Sequence, residues 1–253
     1  MGVRQRGAAT AVAVAAISLA LIPTVNAEIS QKDGVRVKVS GSMSPTKLPR
    51  TGAAPISVSV AGHITTTKQG DLPRLATIRI EVNRHGRFDA KGIPLCRMGK
   101  INPSTTNEAL ASCRSSLIGE GQFSANVKIP EQSPFPSQGK ILAFNGKLRG
   151  KPAIFAHIYG TKPVPTSYVL PFSVSTKGKG TFGTTLEASL PQVTGEWGYV
   201  TGISLNLDPK VLSAGCPAPK GALQAAFPLA RTTFAFEGGL ALSSTLNRSC
   251  KVR

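Results

Sequence analysis

Four cysteines, three histidines and one tryptophan are the residues of this 253-residue chain with most chemistry to offer. Cys96, Cys113, Cys216 and Cys250 are separated by gaps of 16, 102 and 33 residues. Zinc sites draw on short C-x-x-C-like knuckles, and these gaps contain none. An even number of cysteines in an exported chain reads instead as two disulfides, with three possible connectivities. We expect Cys96–Cys113, pinning a short helix to the strand before it. We expect Cys216–Cys250 to tie the C-terminal tail to the loop ahead of the last hairpin.

The histidines His63, His85 and His157 stand alone. No H-E-x-x-H or H-x-H occurs, so a metal site or a triad would need distant segments to converge. No G-x-S-x-G elbow occurs either. Ser44-Pro-Thr-Lys47 and Ser137-Gln-Gly-Lys140 match S-x-x-K but lack the S-D-N and K-T-G companions of penicillin-recognising enzymes. A glycosidase needs two carboxylates facing each other across a cleft. Glu187 and Glu196, on either side of a turn, come nearest, and they read better as a strand-surface acid and a loop acid. No residue is assigned a catalytic role, and no metal or other cofactor is expected.

Binding residues are easier to nominate. GEWGYVTG, residues 195–202, joins Trp197 to Tyr199 among three glycines. It could form an aromatic platform for sugar, or it could be a core tryptophan beside a bulged strand. Lys177-Gly-Lys179 and Lys147-Leu-Arg149-Gly-Lys151 put the densest cations at turn signals. Trp197, Tyr199, Lys177 and Lys179 are therefore the candidate ligand-binding residues.

The charge balance points the same way. The chain has 30 basic and 12 acidic residues, a formal net charge of +18. Its first 27 residues read as a secretory signal peptide: Arg4 and Arg6, an apolar run from Ala8 to Ile22, then Pro23 and Val25-Asn26-Ala27 at a cleavage site after Ala27. The run is shorter than the roughly 20 residues of a membrane span, and no later segment is long or apolar enough to be one. The mature chain is expected outside the cell with a net charge of +16. Such a surface favours wall polymers, anionic lipid or nucleic acid, or is simply well solvated. No block of five like charges occurs, and three tyrosines with one tryptophan offer few stacking platforms. Specific nucleic-acid binding is not expected.

These residues must be positioned by strands. GVRVKVSG, PISVSVAGHI and LATIRIEV alternate apolar and polar residues with period two, the pattern of half-solvated antiparallel strands. GQFSANVKI, KILAFNGKL, AIFAHIYG, GTFGTTLEASL, GYVTGISLNL and RTTFAFEGGLALSSTL continue it. SYVLPFSV contains Pro171 and reads as an edge or bulged strand. One segment differs. INPSTTNEALASC carries Thr105 and, three residues on, Glu108, a capping box for one short helix near 104–115. The fold expected is all-β: an antiparallel two-sheet sandwich, jelly-roll-like in one version, forming one domain over 28–253. PEQSPFPSQG, residues 130–139, reads as a crossover or as a sub-boundary.

One motif invites a further reading. Leu48-Pro-Arg-Thr-Gly52 matches the L-P-x-T-G pattern of sortase substrates. An anchor of that kind precedes an apolar span and a basic tail at a C-terminus. Here the string falls about 20 residues into the expected mature chain, and STLNRSCKVR has no apolar span. It reads as a proline-stiffened connection between strands.

CRMGKINPSTTNEALASCRSSLIGEG, LPQVTGEWGYVTG and the ending AGCPAPKG…FPLARTTFAFEGG…SSTLNRSC resemble a group of secreted β-rich proteins of actinobacteria. Their pattern is cysteine, short helix, cysteine, then a strand of the type L-I-G-E-G. The resemblance implies export, paired cysteines and an all-β fold, and carries no activity or site residue. The reading is of a non-catalytic extracellular or cell-envelope-associated protein. Its alternatives are a β-sandwich module binding wall glycan or another polyanion, and a hydrolase with a site assembled at long range.

Overall fold

The structure, a computed structural model, describes residues 27–191 and 198–253. The expected signal peptide, Ala27 apart, and Glu196 and Trp197 lie outside the described residues.

The strands follow the alternation in the sequence. They are β1 (Glu28–Lys32), β2 (Val35–Ser44), β3 (Lys47–Leu48), β4 (Ala54–Pro55), β5 (Ser57–Thr66), β6 (Leu75–Asn83) and β7 (Gly86–Phe88). Helix α1 (Thr106–Cys113) comes next. Then come β8 (Leu117–Val127), β9 (Phe135–Leu148), β10 (Lys151–Gly160), β11 (Thr166–Thr176) and β12 (Phe182–Ser189). The last four are β13 (Gly198–Leu207), β14 (Leu212–Ala214), β15 (Gln224–Phe236) and β16 (Ala241–Val252). On β2, Val35, Val37 and Val39 are buried while Arg36 and Lys38 are exposed. The capping box forms: the Glu108 amide donates to the Thr105 hydroxyl oxygen, and the Thr105 amide donates to the Glu108 carboxylate.

Among the described residues the architecture is all-β with one short α-helix. Where two sheets were expected, the ladders run through thirteen strands in the order β1-β2-β5-β13-β8-β9-β10-β11-β12-β6-β15-β16-β3, beside a small sheet β4-β14-β7. Among the described residues every ladder is antiparallel except that between β16 and β3. A twisted sheet of this width curls rather than staying flat. The curl brings the first strands against the last without a ladder between them. Val35, Val37, Val39 and Ile64 of one wall pack with Ile78, Phe234, Leu242 and Leu246 of the other. Glycine permits the closest approach: a Cβ on Gly62 would lie 3.2 Å from Phe234 Cζ, and one on Gly41 3.1 Å from Leu246 Cδ1. Arg248 Nε donates to the Gly41 carbonyl at 2.7 Å across the seam.

Pro171 does not mark an edge. Strand β11 pairs with both β10 and β12, but its ladder to β12 begins only at Ser173. The missing N–H therefore sits beyond the end of the β11–β12 ladder. Residues 130–139 cover the end of the turn between β8 and β9, which pair with each other, and the first five residues of β9.

One end of the curled sheet is filled by segments of low regularity. Leu48, Ile56, Val211, Leu212, Ala214 and Cys216 are buried there with Phe227 and Cys250. The Cys216–Cys250 disulfide joins this plug to β16. The L-P-R-T-G stretch belongs to it: Leu48 is fully buried in β3, and the Pro49 carbonyl accepts from the Cys216 amide at 2.9 Å.

A second core lies outside the sheet. Phe144, Phe155, Leu142 and Val169 are covered by Ile101, Ala109 and the Cys96–Cys113 disulfide. Both faces of β9 and β10 are therefore buried, over residues 141–146 and 153–157, where half-solvated alternation was expected.

Candidate functional site

The groups nominated for chemistry are held apart. His63 is exposed on β5, and His85 is exposed at the β6–β7 turn, where its amide donates to Asn83 Oδ1 at 2.9 Å. His157 is fully buried on β10. Its Nε2 lies 3.0 Å from the Ser104 carbonyl and 3.2 Å from Ser104 Oγ. A carbonyl only accepts, so Nε2 carries the proton and the ring is the neutral Nε2–H tautomer. Ser104 Oγ donates to the Ile101 carbonyl at 2.8 Å. Its proton is therefore engaged away from the imidazole, and the pair is not an activated nucleophile. His157 fastens the 101–105 segment to the sheet. Burial pushes its pKa down, only partly offset by the bond to Ser104.

Glu187 is a strand-surface acid. It pairs with Arg79 at 3.0 Å, an interaction that raises the guanidinium pKa. No group of three or more His, Cys, Asp or Glu residues able to hold a metal exists among the described residues.

The four nominated binding residues divide. Tyr199 packs against the core beside Leu190 and Val200, and its hydroxyl accepts from Asn126 Nδ2 at 3.1 Å. Lys177 and Lys179 sit in the β11–β12 turn, before the start of β12, whereas Tyr199 follows its far end. Eight strand residues, about 26 Å, intervene. The lysines and the tyrosine lie at opposite ends of the sheet.

Lys177 instead faces the β6–β7 turn. Arg84, His85, Gly86 and Arg87 on one side, and Thr176, Lys177, Gly178, Gly183 and Thr184 on the other, line an open cleft of about 350 Å3. Backbone bonds fix the two turns: the Arg84 amide donates to the Thr181 carbonyl at 2.9 Å, and the Lys177 amide to the Gly183 carbonyl at 2.7 Å. Arg84 Nη2 reaches the Gly178 carbonyl at 3.3 Å. Gly180 has φ +96°, a backbone that side chains rarely adopt. No carboxylate lines the cleft, and Arg84, Arg87, Lys177 and Lys179 are in no ion pair among the described residues. Arg84 and Arg87 are not among the candidates read from the sequence, and His85 is there only as an isolated histidine, because Asn83-Arg-His-Gly86 reads as a plain turn. Nothing in the sequence pairs it with a turn about ninety residues on.

A second, neutral groove of about 510 Å3 lies on the outer face of β13, β8 and β9. It is lined by Gln122, Gln138, Ser204 and Asn206, with Glu120 paired to Lys140 at 3.0 Å. Neither cavity is lined by more than one of the histidines or Glu187.

No protein-family model matches the chain, and neither a curated protein nor a solved structure matches it.

Proposed function

We propose that this chain is an exported, non-catalytic binding protein that takes an anionic polymer at the cleft between the β6–β7 and β11–β12 turns. One observation carries the reading: two arginines, a lysine and a histidine line one cleft with no carboxylate among them. Like charges held together by backbone bonds repel one another, and a bound anion relieves that repulsion. Arginine and lysine are also the residues that meet phosphate and sulfate with charge-assisted hydrogen bonds. Export rests on the N-terminal pattern and on two disulfides, which persist in oxidising compartments. The intact mass of protein recovered from the medium should start at Glu28.

Retention on purified cell wall across a salt series tests the binding. Wild type should be held at low salt and released as salt rises, because ion pairing to a polyanion releases counterions. Arg84→Ala/Arg87→Ala/Lys177→Ala should elute at clearly lower salt. No retention at any salt would remove the reading.

The neutral groove favours a second reading, for a glycan. Amide and hydroxyl groups there could bond sugar hydroxyls. Retention that survives high salt and is lost in Gln122→Ala/Asn206→Ala would support it.

A further inference from the structure

The cleft is one end of a longer feature. Strand direction alternates along β9-β10-β11-β12-β6, so the β9–β10, β11–β12 and β6–β7 turns all leave the sheet at the same end. The register sets them level. Ala153 opposite Ser173 puts Gly150 at the height of Thr176; Thr176 lies opposite Thr184, and Thr184 opposite Val82. The rim so formed carries Lys147, Arg149 and Lys151, then Lys177 and Lys179, then Arg84 and Arg87, all exposed. None of them is in an ion pair among the described residues. Residues 147–151, 177–181 and 84–87 include no acid and no Phe, Tyr or Trp. At about 4.8 Å per strand, the row from the β9–β10 turn to β6 spans roughly 17 Å.

From this placement we propose that the rim is a single elongated site for a linear chain of phosphate groups, lying across all three turns rather than ending in the cleft. The inference rests on the anion-binding reading of the cleft and extends it. A lone anion would need only the cleft; a row of cations this long matches repeated charges on one chain. Without a Phe, Tyr or Trp platform in these turns, the phosphates, and not stacked bases, would be read.

Titration of the purified protein with inorganic polyphosphate of long chain length, with tripolyphosphate and with oligothymidylate of matched charge tests this. Wild type should bind the long chain at least about tenfold more tightly than tripolyphosphate. Arg149→Ala/Lys151→Ala should leave tripolyphosphate binding unchanged. For the long chain it should flatten the slope of log affinity against log salt by about 1.5, the loss of two phosphate contacts. An unchanged slope in that variant, or oligothymidylate binding more tightly than polyphosphate, would overturn the elongated phosphate site while leaving the cleft reading intact. If Arg84→Ala/Arg87→Ala/Lys177→Ala binds every probe as wild type does, the cleft reading itself fails.

Discussion

The guanidinium of Arg50 lies 2.8 Å from the carbonyl of Ala218, a residue 168 positions away in the chain. The same side chain donates to the Ala222 carbonyl at 2.7 Å and also to the Pro219 carbonyl. Its fork closes the 218–222 loop over the end of the sheet. The x position of the L-P-x-T-G string is thus a structural clasp. Arg50→Ala should lower unfolding free energy by about 2–3 kcal/mol, the scale for charge-assisted bonds to carbonyls left without partners. Arg50→Lys has no fork and should recover less than half of that. Urea midpoints at constant m-value measure both.

The two disulfides should contribute unequally. Cys216–Cys250 closes a loop of sequence separation 34 and Cys96–Cys113 one of 17. Chain entropy gives about 4 and about 3 kcal/mol respectively. Cys216→Ser/Cys250→Ser should be the more destabilised double variant in denaturant titrations. Cys96→Ser/Cys113→Ser should chiefly raise amide exchange in 97–116, since that excursion lies outside the sheet.

His157 should make the protein acid-sensitive in a defined direction. Its folded pKa is depressed by burial. Above the ordinary histidine value both states are neutral and stability is full. As pH falls below about 6.5 the unfolded chain takes up the proton first, so stability drops. The drop stops once pH has passed the folded pKa. His157→Gln can keep the bond to the Ser104 carbonyl and should show a flatter profile between pH 7 and 5. A wild type as flat as the variant would remove this account.

Gly146 should resist any side chain. A Cβ there would lie 2.4 Å from Phe155 Cε2, a ring held in the outer core. Gly146→Ala should cost about 1–3 kcal/mol through overpacking. At Gly52, φ is +80° and nothing lies within 4 Å, so Gly52→Ala should cost only backbone strain, about 1 kcal/mol. Thermal midpoints of the two variants separate these mechanisms.

Much of the local structure is legible in the residues because its causes are local. Val35, Val37 and Val39 alternate with polar neighbours and become one buried face. Thr105 and Glu108 are close enough in sequence to cap their own helix. The cysteine spacing speaks against zinc. Pro171 misleads for the converse reason: a proline says that an N–H is missing, not which ladder has stopped beside it.

The sequence by itself determined the strands, the one helix, the excess of cations and an even set of cysteines, since each depends on residue type and short-range spacing. Tertiary structure alone decided that the sheet runs on through thirteen strands and closes upon itself, that Arg50 clasps a loop, and that Tyr199 turns inward. It also decided that turns at 84–87, 147–151 and 177–181 share one rim. Strand order and register depend on pairings between segments many tens of residues apart. Side-chain alternation gives the face a residue occupies but not the strand beside it, so charges scattered along the chain become a row only once the sheet is assembled.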